Sequence, residues 1–172
     1  MKSIVLAATA SLFLAGASFA EFRLSEFSDQ YETKRRKGFT EWVTAETRDE
    51  EYKRYERKGQ FPIYIESSDQ GERRIYEDNP DGFLFQFWNI YGEKGFCDKD
   101  RELRKHKYVL LTASKYENAK GHVLYQGIWV SRDVEERMER VIRRYGISQA
   151  YISDDHVPEE PKARKNKKKK KE

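Results

Sequence analysis

Charged stretches alternate with short apolar strands along this chain, and the alternation recurs. Residues 30–37 read as a charged helix, Gly38 ends it, and residues 39–43 (Phe-Thr-Glu-Trp-Val) carry the period of two expected of a half-buried strand. A second charged helix is predicted over 49–58, closed by Gly59, with a strand over 61–65. The pair returns at 98–107 and 108–112. It returns again as a helix over 134–145, Gly146 and an apolar run over 147–152. Glycine closes three of these four helices, because it enters positive φ without a steric penalty.

The two middle units continue alike. Turns at 68–71 and 118–121 lead into second strands at 73–76 and 122–130, so that Phe61 matches Tyr108 and Gly71 matches Gly121. Between the units, the turn 79–82 (Asn-Pro-Asp-Gly) precedes residues 83–88, predicted as a buried strand. The expectation is an α+β fold: a small single domain with a mainly antiparallel sheet, helices on one face, and degenerate helix–strand repeats.

The ends change this picture. Lys2, an apolar run over 4–14, and small residues at Ser18 and Ala20 before Glu21 have the form of a secretory leader, too short to span a bilayer comfortably. No later stretch is apolar enough to cross a membrane, so no membrane span is expected. From residue 159 to 172 the chain carries eight cations, Lys162, Arg164, Lys165, Lys167, Lys168, Lys169, Lys170 and Lys171, against three glutamates. The whole chain has a formal charge of +4, so its basic balance comes from this run and the rest is close to neutral. The expected organisation is a leader over 1–20, a globular domain over 21–158, and a disordered polybasic tail over 159–172. Such a tail serves a nuclear import receptor, a non-specific grip on nucleic acid, anionic lipid or acidic glycan, or solubility alone. A second cluster, Lys34 to Lys37, could serve as an import signal or a dibasic processing site, but fits the polar face of a helix better.

Composition adds bounds on chemistry. Charged residues make up 37% of the chain and aromatics 14%, which gives a modest aromatic core beneath long solvated faces. One cysteine, Cys97, rules out an internal disulfide and a CxxC metal site. His106, His122 and His156 lie in unrelated contexts, with no helical i, i+4 pairing of ligands, so no metal and no cofactor is expected. Cys97 with His106 or His122 could form a nucleophile–base pair, but a buried thiol is the expectation, and no catalytic residue is assigned. The loop 92–95 (Gly-Glu-Lys-Gly) lacks the Gly-Lys-Ser/Thr ending of a phosphate-binding loop.

Residues 138–153, MERVIRRYGISQAYIS, resemble the core of a helix-turn-helix. The resemblance implies a second helix over 149–155, with Ser148, Gln149 and Tyr151 reading base edges and the basic tail on phosphates. Ile142, where that family has a small residue, and the acids Asp154, Asp155, Glu159 and Glu160 depart from the pattern. The alternative is a terminal amphipathic helix followed by a strand. Leader, cysteine-poor body and polybasic end together resemble the secreted nuclear effectors of plant-pathogenic fungi of the host-transcription-reprogramming type. That resemblance implies a non-enzymatic protein that enters host cells, reaches the nucleus, and modulates transcription, through DNA or a DNA-bound complex. The alternative is an extracellular or envelope binding protein whose tail holds an acidic polymer.

Overall fold

The computed structural model describes residues 38–118, 120–156 and 158. The expected leader, the helix predicted over 30–37 with its basic cluster, and the lysine-rich run at 162–171 lie outside the described residues. In chain order come α1 (Arg48–Glu56), β1 (Gln60–Ser68), β2 (Gly71–Asp78), β3 (Phe85–Tyr91), α2 (Glu93–Lys105), β4 (Tyr108–Glu117), β5 (Val123–Ser131), a 3-10 turn (Arg132–Val134) and α3 (Glu135–Arg144). All strand pairings among them are antiparallel: a β1–β2 hairpin, and a three-stranded sheet in the order β3–β5–β4. The α+β class and the antiparallel pairing follow the hydrophobic alternation.

The internal repeat appears as two helix–hairpin units, α1–β1–β2 and α2–β4–β5, each with an irregularity in its first strand. Register shifts between Pro62 and Tyr64 in β1, and between Leu110 and Thr112 in β4. The residues skipped, Ile63 and Leu111, are both fully buried. A bulge turns backbone groups out of the ladder, where they need other partners. The Thr112 hydroxyl donates to the Ile63 carbonyl at 2.7 Å, and the Ala150 amide donates to the Leu111 carbonyl at 3.0 Å. The first of these contacts joins the two sheets.

Two apolar clusters sit on opposite faces of β4 and β5. Val109, Leu111, Ile128 and Val130 join Met138 and Ile142 of α3 and the inner residues of β1 and β2. Leu110, Ala113, Tyr125 and Trp129 join Phe96, Cys97 and Leu103 of α2. The helices therefore occupy both faces of the three-stranded sheet, where one face was expected. Residues buried on both sides of β4 account for this, since its run Val-Leu-Leu gives each face an apolar surface to cover. Gly127, in the middle of β5, leaves room for this packing. A Cβ there would lie 2.4 Å from the Trp129 ring and 2.8 Å from Phe96.

Two other expectations are corrected. Residues 39–43 make only isolated bridges to β2, Phe39 to Ile75 and Val43 to Glu72. Backbone bonds from Thr40 to Arg74 and between Val43 and Glu72 hold this segment, together with the Arg73 guanidinium, 4.1 Å from the Phe39 ring centre and 4.6 Å from that of Trp42. The strand predicted as buried over 83–88 is β3, which begins at Phe85 and lies at the sheet edge, with Trp88, Asn89 and Tyr91 exposed.

Candidate functional site

Glu51 is the sole buried residue of α1, so this helix meets the sheet through charge and aromatic rings more than through an apolar face. Arg74, on β2, is 2% exposed and Glu51 5%. Arg74 Nη1 donates to Glu51 Oε2 at 2.5 Å, and Nη2 donates to Glu72 Oε2 at 2.7 Å. Charged groups are kept in an interior only when paired this closely. The network continues through Asn89 Nδ2, which donates to Glu72 Oε1 at 3.2 Å, and Gln126 Nε2, which donates to Asn89 Oδ1 at 3.2 Å. Ser114 closes it, 3.3 Å from Gln126 Oε1. A polar thread thus runs from α1 through β2, β3 and β5 to β4. Burial beside it pushes the Tyr76 phenol up, against the pull of Arg74, and Tyr55 stacks on Tyr76 at 3.9 Å.

Along α1 runs a groove of about 520 Å³, bounded by Val43 and Thr47 and by the helix residues Glu50, Glu51, Lys53, Arg54 and Arg57. Glu51 Oε1 has no hydrogen-bond partner among the described residues. Lys53, Arg54 and Arg57 are exposed and can hold an anionic group, in the weak and salt-screened manner of surface cations. Sequence reading assigned these residues to a solvated helix face. The burial of Glu51 depends on Arg74, 23 residues away, and has no local signal.

The residues proposed to read bases occupy a different structure from the one expected. The helix over 149–155 is not formed. After α3 the Ile147 amide bonds to the Ile142 carbonyl at 3.1 Å, and the chain then runs as an extended strap over β4 and α2. Ile147, Ala150 and Ile152 are buried, the Ala150 amide is used by Leu111, and Arg104 Nη2 donates to the Ile152 carbonyl. Those backbone groups are therefore committed to neighbouring elements and not to i→i+4 bonds. Gln149 is half-buried, its amide donating to Glu135 Oε1 at 2.9 Å and to the Leu110 carbonyl at 3.2 Å. Ser148 and Tyr151 are exposed, with Arg104 5.5 Å from the Tyr151 ring centre. Further along, Arg104 pairs with Asp100 and Asp154 at 2.8 and 2.7 Å, and His156 Nε2 lies 2.6 Å from Glu93 Oε1.

Cys97 is 1% exposed, and burial, reinforced by Glu93, pushes its thiol up to about 11. A thiol held protonated in this way is a poor nucleophile at neutral pH. His106 caps α2, His122 lies beside the Tyr91 ring, and His156 is engaged with Glu93, so neither proposed partner of Cys97 is bonded to it. Among the described residues no three His, Cys, Asp or Glu side chains form a metal-binding group, and no helix is long and apolar enough to cross a membrane. The chain matches no known family model, no curated protein and no solved structure.

Proposed function

We propose that this protein is an exported, non-enzymatic effector that enters host cells, is taken into their nuclei by its lysine-rich end, and modulates transcription there. The observation that carries the reading is the pairing of a secretory leader with five consecutive lysines, Lys167 to Lys171, on an otherwise near-neutral chain. An import receptor reads a short cluster of this kind, and the same cluster condenses on phosphate polymers by releasing their counterions. Because Gln149 is engaged by Glu135 and Leu110, contact with DNA in this reading rests on phosphates and not on base edges.

The test is a fluorescent fusion of residues 21–172 introduced into eukaryotic cells. It is expected to concentrate in nuclei, and replacing Lys162, Arg164, Lys165 and Lys167 to Lys171 by glutamine is expected to leave it diffuse. Equal distribution of the two forms rejects the import reading. The second reading, a tail that holds an acidic extracellular polymer, gains from the strap conformation of 147–156, which leaves no base-reading helix. It predicts that the intact chain binds heparin or polyphosphate with a steep loss on adding salt but stays outside nuclei.

A further inference from the structure

Among the described residues, β3 is an edge strand with a free side. The Ser131 amide donates to the Leu84 carbonyl, and the Gly92 amide donates to the Val123 carbonyl. Those bonds set the phase of the β3–β5 ladder, whose pairs include Gln86 with Trp129 and Trp88 with Gly127. Even-numbered residues spend their backbone groups on β5, so the amides and carbonyls of Phe85, Phe87, Asn89 and Tyr91 point away from the sheet. No backbone bond to another element uses them among the described residues. The other edges differ. Thr40 and Val43 bond to the outer side of β2, while Ala150 and β1 meet β4 at its bulge.

Natural edge strands are blunted by lysine, proline or a bulge. β3, Phe-Gln-Phe-Trp-Asn-Ile-Tyr, has none of these, and its register with β5 is unbroken. In a chain that is 37% charged, these seven positions carry no charge at all. Trp88 is 41% exposed and Tyr91 68%. A neutral strand laid antiparallel on its own copy sets no like charges opposite each other, whereas most charged segments would strand a charge against Phe85 or Phe87.

We propose that β3 pairs with β3 of a second copy, joining two molecules into one six-stranded antiparallel sheet. With the two-fold axis at Trp88, Phe87 bonds opposite the partner's Asn89, and Phe85 opposite the partner's Tyr91. Trp88 then faces the partner's Trp88 in a non-hydrogen-bonded pair, with Cα atoms about 4.5 Å apart. Lys99 lies 4.3 Å over the Trp88 ring and is itself paired with Glu102, so no bare ammonium is brought to the axis.

That register is testable with residues 21–172. Sedimentation equilibrium is expected to give a mass that rises with concentration to twice the monomer. W88C should form an intermolecular disulfide under mild oxidation, because 4.5 Å suits the bridge, whereas Y91C should not, since Tyr91 lies opposite the partner's Phe85. Cys97 is buried, so the unsubstituted chain serves as the uncrosslinked control. Trp88→Lys should weaken dimerisation at least tenfold, and Tyr91→Pro, which removes only an outward amide, should do likewise, both with unchanged circular dichroism. A monomeric mass up to several hundred micromolar overturns the proposal. So does slow amide exchange at Phe87 and Asn89 in a monomer, which would mean that the edge is already covered within one chain.

Discussion

Arg74 stands between two carboxylates in a space with almost no water, and this one side chain ties α1 to the first hairpin. Removing it would take the buried guanidinium away from Glu51 and leave Glu72 to Arg48, 3.5 Å away, and to Asn89. Arg74→Ala is therefore expected to cost about 3–5 kcal/mol, read as a lower urea midpoint. The double change Arg74→Met with Glu51→Met removes both buried charges of the closest pair and is expected to cost less than the single one. A double change at least as damaging would refute the pairing as the source of the loss. The sequence displayed both residues, but among acids and bases that alternate freely it offered no sign of which two would meet in the interior.

Elements were legible where a local rule sets them. The hairpin turns, the helix ends at Gly59 and Gly146, and the start of β4 at Tyr108 all fall where the pattern put them. The fourth helix end has no glycine, and there Lys107 takes a φ of 64°. Its side chain is exposed and its backbone carbonyl accepts from Arg132 at 2.9 Å, so the strain is retained by the surrounding chain. A left-handed non-glycine residue costs about 1–2 kcal/mol. Lys107→Gly should therefore raise stability by about 1 kcal/mol, less than the full strain because glycine also gains freedom when unfolded, and a thermal melt would register it. No gain in melting temperature would remove strain as an explanation. The strap departs from the expected helix because the Ala150 amide is claimed by β4 and the Ile152 carbonyl by Arg104 of α2, partners that no window of local sequence contains. The edge position of β3 was hidden for the same reason: alternation tells which side of a strand is apolar, not how many neighbours it has.

At the scale of the whole molecule, the interior resists ionisation at both apolar clusters. Cys97 lies in one and is pushed from 9.0 up to about 11 by burial. Tyr145 lies beside the other and is pushed from 10.0 up to about 12 by burial and by its hydrogen bond to Glu77. Both groups keep their protons to higher pH when folded than when unfolded. The stability that this represents is complete below pH 9 and is lost as pH rises through 11 to 12. For the thiol alone the loss is on the order of 2 kcal/mol. Urea midpoints measured between pH 8 and 11 should fall, and Cys97→Ala should flatten the decline; an equal slope in the variant would place the titration elsewhere. The strap has a consequence of a mechanical kind. Among the described residues, the first contacts met by a motor drawing on the carboxyl end are those of His156 with Glu93 and of Arg104 with Asp154 and the Ile152 carbonyl. The load reaches α2 before it reaches a strand, so unravelling under tension starts on the helical side while the hairpins are still intact.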